Sequence, residues 1–279
     1  MLDNALHDSS VMMLPFVLYL LLSANDWSGA LFAAEAGESC SPLRLDLTDP
    51  VISRIPIQNQ HPEDPSCAVY SATFLDQVWT SRMSGNEPGY LAPAEDPELN
   101  YQRILKSPSF TEIFNADRGR TCQSAKWIAE QRGENSPQHF PRCEMFGLQK
   151  TKVGQVLHSP SEFRSEMDSL LDRASPSPFA LEFCAGVLYG NSDMITKRSF
   201  DASLEYLNTD RQFENFSPGC FFHVAVVVGR AVRNGKCRYL IRDSLDHAQA
   251  RSHENEENGH IWIDADSLSA NTLRLIHLE

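Results

Sequence analysis

A chain of 279 residues and 31.3 kDa has enough side chains for one large core or two joined lobes. With 42% hydrophobic and 22% charged residues it reads as globular, not disordered. A formal charge of −13 and a pI near 5.1 argue against a nucleic-acid partner, which would need a basic face. The sequence has no solenoid repeat and no glycine-rich phosphate loop.

Val11 to Ala24 is an almost unbroken apolar run, shorter than the ~20 residues that span a bilayer. Ala34-Glu35-Ala36 follows as an A-x-A cleavage pattern, so residues 1–36 are expected to be a signal peptide and 37–279 an exported domain. A buried or membrane-anchoring helix would show the same apolar run. Neither Lys nor Arg precedes it, which a start at Met12 or Met13 would explain.

Residues 37–66 are rich in Pro, Asp and Ser, with short extended runs at Val51-Ile52 and Ile55-Pro56-Ile57. Ala68, Ala72, Leu75, Val78 and Trp79 recur at helical spacing, which predicts an amphipathic helix over Ala68–Arg82 that Cys67 opens. Pro65 and Ser66 before it are suitable helix-entry residues. A loop-rich stretch over 83–121 is expected to hold a short helix near Tyr101–Leu105. Two further helices are predicted over Cys122–Gln131 and Ser161–Arg173, the second capped by Ser161 and stopped by Pro176.

The pattern then changes. Phe179–Phe183 and Phe221–Val232 read as buried strands, and Asn234-Gly235 is a hairpin turn that returns as Arg238–Leu245. Gly259–Ile263 and Leu273–Leu278 supply two more strands. Helices first and strands second predict an α+β fold of two facing lobes, a helical one over roughly 67–175 and an antiparallel β one over roughly 176–279.

The seven cysteines, Cys40, Cys67, Cys122, Cys143, Cys184, Cys220 and Cys237, form no C-x-x-C pair, so no zinc site is expected. In an exported protein the odd count predicts one free thiol and bridges among the others. In a cytosolic one all seven could be buried thiols.

Cys67 stands where its helix begins, and a helix N-terminus favours the thiolate form that acts as a nucleophile. Such a thiol needs a base, and the base needs a third group to hold it. His223 lies inside the apolar run Phe221-Phe222-His223-Val224-Ala225-Val226-Val227-Val228, where position alone suggests a satisfied core histidine. Asp243, however, lies on the strand paired through the Asn234-Gly235 turn. Counting back from that turn puts it near the level of His223, a carboxylate beside an imidazole.

Several segments carry a family resemblance. Pro56-Ile57-Gln58-Asn59-Gln60 followed by Ser66-Cys67-Ala68-Val69-Tyr70-Ser71-Ala72 resembles the papain-family pattern P-V-K-N-Q…S-C-W-A-F-S-A. His223-Val224-Ala225-Val226-Val227-Val228-Gly229 resembles H-A-V-x-x-V-G, and Tyr239-Leu240-Ile241-Arg242-Asp243-Ser244 resembles Y-x-I-K-N-S. Glu257-Asn258-Gly259-His260-Ile261-Trp262-Ile263 is similar to E-N-G-Y-I-R-I. The segments stand in the family's order from Pro56 to Ile263.

The resemblance implies a papain-like two-lobe fold with the active-site cleft between the lobes. It makes Cys67 the nucleophile, His223 the general base and acid, and Asp243 the group that orients the histidine, where the family has Asn. It makes Gln60 the oxyanion-hole residue that assists the nucleophile's backbone N–H. Read alone, Gln60 is an ordinary polar loop residue. The chain departs from the family in several places. The loop between Gln60 and Cys67 is one residue longer and lacks C-G-S, Ala68 and Leu245 replace two Trp residues, and Asp117-Arg118-Gly119 only faintly matches the glycine-rich substrate-binding stretch. Between a cleavage at Ala36 and Pro56 there is no room for the family's long inhibitory propeptide.

The expected function is a secreted cysteine endopeptidase acting on a peptide or protein substrate, with no cofactor, no metal, no nucleic acid and no stable membrane partner after cleavage. An amidase or transglutaminase-type acyl transferase on the same Cys-His-Asp site is the alternative chemistry. An inactive papain-like binding protein is the alternative class.

Overall fold

The structure, a computed structural model, describes residues 40–61, 65–84, 90–114, 119–132, 141–147, 149–151, 154–156, 158–189, 222–244, 256–257 and 259–279. The expected signal peptide, Asp117-Arg118, Cys220 and Leu245 lie outside these residues. So do His61's successors Pro62, Glu63 and Asp64 in the lengthened loop.

The chain enters through strand β1 (Leu43–Arg44), helix α1 (Leu45–Thr48) and a 3-10 turn at Ile52–Arg54. The long helix α2 (Cys67–Met83) is followed by α3 (Pro97–Leu105), α4 (Phe110–Ile113) and α5 (Arg120–Gln131). Strands β2 (Cys143–Gly147), β3 (Gln149–Thr151) and β4 (Gly154–Val156) precede α6 (Pro160–Leu171). The remainder is β5 (Phe179–Cys184), β6 (Phe222–Arg233), β7 (Lys236–Arg242), β8 (Glu256–Glu257), β9 (His260–Asp264), α7 (Ala265–Asn271) and β10 (Thr272–Leu278). The result is a mixed fold of helices and antiparallel sheet. The main sheet runs β2-β10-β5-β6-β7-β9-β8, with β1 also paired to β6, and every pairing in it is antiparallel.

The expected hairpin is its centre. Asn234 and Gly235 take φ values of 53° and 75°, the left-handed pair that a two-residue hairpin turn requires. Gly229 on β6 is needed for another reason: a Cβ there would lie 2.6 Å from the Leu43 carbonyl oxygen of β1.

Other expectations shift. Val51-Ile52 is not extended, because the Asp49 carboxylate accepts from the Val51 and Ile52 backbone N–H groups at 2.8 and 3.0 Å and turns the chain. Ser159, not Ser161, caps α6. Pro160 takes the first helical position, and Glu162 answers the Ser159 side chain in a capping box. Helix α2 is not amphipathic either: it is buried on all faces from Cys67 to Val78, because α3 and α5 pack on it as well as β5, β6 and β10. The strands also begin earlier than the helices-then-strands reading expects. β2 pairs with the C-terminal β10, and α6 packs on β10 and α7. That pairing joins distant parts of the chain, so local periodicity does not reveal it.

Disulfides join Cys40 to Cys237 and Cys122 to Cys143, and Cys184 is bonded as well. Cys67 is the free thiol among the described cysteines. No helix among the described residues is long and apolar enough to cross a membrane.

Candidate active site

Cys67 is the first residue of α2 and is 7% exposed. One turn along the helix, the Ser71 hydroxyl donates to the Val224 carbonyl at 3.4 Å, tying α2 to β6 beside His223. His223 is 1% exposed, and its Nε2 lies 2.6 Å from Asp243 Oδ1. The Phe183 ring packs edge-on against the imidazole, with centroids 5.7 Å apart, where β5 pairs with β6. The Cys67 thiol lies near enough to the same imidazole to favour its charged form. With Nε2 engaged by Asp243, Nδ1 is the ring nitrogen left to face it.

The contact between His223 and Asp243 depends on a β-bulge. From the turn to Gly229, β6 and β7 pair regularly, Gly229 facing Leu240. The next pair is Val227 with Ile241, so Val228 is an extra residue on β6. Without it Asp243 would fall opposite Val226, on the other face of the sheet from His223. With it Asp243 falls opposite Ala225, on His223's face and one diagonal step away. Counting from the turn gives the level; the bulge gives the face.

Burial opposes a charge on His223. The Asp243 carboxylate, by its charge and its hydrogen bond, outweighs that burial with help from Cys67 and raises the imidazole pKa from 6.5 to about 10. The imidazolium therefore persists at neutral pH, poised between a thiol and a carboxylate.

Gln60 is buried and held twice by Ser244. Its backbone N–H donates to the Ser244 carbonyl at 2.7 Å, and the Ser244 hydroxyl donates to Gln60 Oε1 at 2.7 Å. Ser244 thereby fixes the carboxamide through its oxygen. Arg242, immediately before Asp243, is 9% exposed. Its guanidinium donates to the Ile55 carbonyl at 3.0 Å and to the Pro56 carbonyl, and lies 4.3 Å over the Phe74 ring of α2.

The structure thus brings Cys67, His223 and Asp243 together and places Gln60 against the residue after Asp243. Sequence reasoning gave no role to Ser71, Phe183, Arg242 or Ser244. The last two stand inside the Tyr239–Ser244 motif, so their positions were visible although their partners were not. No cluster of three or more His, Cys, Asp or Glu side chains suited to a metal occurs among the described residues.

No family model matches the sequence, and no curated protein matches it. Among solved structures, the chain is similar to the digestive procathepsin L2 proteinase from the larval midgut of Tenebrio molitor, at 14% identity over 86% of this chain and 68% of that one, with a TM-score of 0.45.

Proposed function

We propose that the protein is an exported papain-like cysteine endopeptidase, with residues 37–279 as its catalytic domain and the helical and β parts as two lobes flanking a cleft. The observation that carries this reading is the buried chain Cys67–His223–Asp243, built on the free thiol among the described cysteines. The order of the resembling motifs supports it, and the disulfides fit an oxidising compartment.

In this mechanism the Cys67 thiolate attacks the peptide carbonyl carbon, and the carbonyl electron pair moves onto oxygen. The Cys67 backbone N–H and the Gln60 amide stabilise that oxyanion. As the oxyanion collapses, the His223 imidazolium gives its proton to the leaving amine, which departs and leaves a thioester on Cys67. Neutral His223 then takes a proton from water, the hydroxide attacks the thioester, and the acid product leaves with the thiolate and imidazolium restored. Asp243 holds the ring through Nε2 in both steps.

An epoxide-type cysteine-protease inactivator tests the reading. Mass spectrometry is expected to find the adduct on Cys67, and Cys67→Ala is expected to lose both labelling and hydrolysis of fluorogenic peptides. Hydrolysis retained in Cys67→Ala would place the nucleophile elsewhere.

A further inference from the structure

We infer that Arg242 is a positioning residue for the oxyanion site, an assignment that rests on the peptidase reading above. Residues 56–61 belong to no helix or strand, so the segment that carries Gln60 lacks a secondary-structure ladder to fix it. It is held by the end of β7 instead. Arg242 grips the consecutive carbonyls of Ile55 and Pro56 at one end, and Ser244 grips the backbone and side chain of Gln60 at the other. A guanidinium suits this task because its planar fork can meet two neighbouring acceptors at once.

The same guanidinium lies over Phe74, two turns along the helix that begins at Cys67. Arg242 therefore touches both the strap bearing Gln60 and the helix bearing the nucleophile. Among the described residues it meets two carbonyls and an aromatic face and forms no ion pair with a carboxylate, and burial alone pushes its pKa down to about 10. A buried cation without a carboxylate partner is an expensive way to gain stability, which argues for a positional role. Consecutive residues Arg242, Asp243 and Ser244 thus each hold a different part: strap, imidazole and carboxamide.

Arg242→Lys and Arg242→Met test this through three readouts. Hydrogen exchange over residues 55–60 is expected to rise in both variants, while exchange over Phe222–Val228 stays at the parent's level. For peptide hydrolysis, kcat is expected to fall about tenfold in Arg242→Lys and about 100-fold in Arg242→Met, with KM near the parent's, since small misplacements cost on that order. Alkylation of Cys67 by iodoacetamide develops no oxyanion, so its rate and pH profile are expected to stay unchanged. Unchanged strap exchange would overturn the inference, whatever the enzyme hydrolyses. So would an unchanged kcat in both variants, or alkylation falling in step with hydrolysis, which would mark a merely structural role. A parent that alkylates at Cys67 but hydrolyses no peptide refutes the peptidase reading separately, and exchange over the strap then decides the part played by Arg242.

Discussion

Replacing Asp243 by Asn removes a charge from the site and keeps a hydrogen-bonding group of the same shape. His223 and Asp243 are each 1% exposed, so solvent screens the pair little. Raising the imidazole pKa from 6.5 to about 10 corresponds to about 5 kcal/mol in favour of the charged ring, at ~1.36 kcal/mol per tenfold change. That is what Asp243 and Cys67 supply together beyond the cost of burial. A single opposite charge at this range accounts for a pKa change of about 1–3. The alkaline limb of kcat/KM reports loss of the imidazolium in the free enzyme. It is therefore expected to move from near pH 10 in the parent to about pH 7–9 in Asp243→Asn.

Stability follows the same sign. The folded imidazole binds its proton more tightly than the unfolded one, so the stabilisation is full below pH 6.5 and is lost as pH rises through about 10. The substitution should thus destabilise the protein near pH 6 and matter little above pH 10. Asp243→Ala also removes the acceptor for the buried Nε2–H, and about 3–5 kcal/mol of destabilisation is expected for a broken buried pair. Steady-state rates between pH 5 and 11, with urea unfolding at the ends of that range, check both statements. If Asp243→Asn and Asp243→Ala kept the parent's alkaline limb, Asp243 would not be the source of the raised imidazole pKa, and another group would have to orient His223.

Two further substitutions probe the frame around the site. Gly229→Ala puts a methyl 2.6 Å from the Leu43 carbonyl oxygen, and urea unfolding is expected to show a loss of about 1–3 kcal/mol as β1 is pushed off β6. Replacing Cys122 and Cys143 together by Ser opens a bridge with a sequence separation of 21, and chain entropy gives an expected loss of about 3 kcal/mol; an unchanged midpoint would mean the bridge constrains nothing the fold does not already hold.

The parts of the site legible in the sequence were those carried by local pattern. Helix spacing after Cys67, β-branched residues around His223 and the Asn234-Gly235 turn each encode a nearby geometry, and α2, β6 and β7 follow from them. What stayed hidden depends on non-local contact. The extra residue at Val228 carries no mark in an all-apolar run, yet it decides which face Asp243 occupies. Ser244 and Arg242 lie 184 to 187 residues from the groups they hold, a separation that no periodicity spans. Ser159 took the cap from Ser161 because Pro160 fixed the helix start, a competition between adjacent signals that only geometry resolves. Burial of α2 on every face was likewise invisible, since its polar residues Ser71, Thr73, Asp76 and Gln77 imitate a solvent stripe while facing other elements.

The arrangement of β7 explains how one strand end can carry groups that oppose folding. Arg242 is a buried cation held by carbonyls, which is not a gain comparable with apolar packing, and Asp243 stabilises only while His223 keeps its proton. Upstream, the same strand is fixed by several independent devices. Cys237 is bridged to Cys40, Tyr239 is fully buried with its hydroxyl donating to Asp168 at 2.8 Å, and Leu240 and Ile241 are fully buried between β6 and β9. Burial of large side chains contributes roughly 1.5–3 kcal/mol each, enough for a few such residues to offset several poorly solvated polar groups. Register along Lys236–Ile241 is therefore set before the strand reaches Arg242, and the polar groups there inherit it. The stabilising part of β7 and the part that holds the site are successive segments of one strand, with the Val228 bulge on its partner aligning the second to the face of His223.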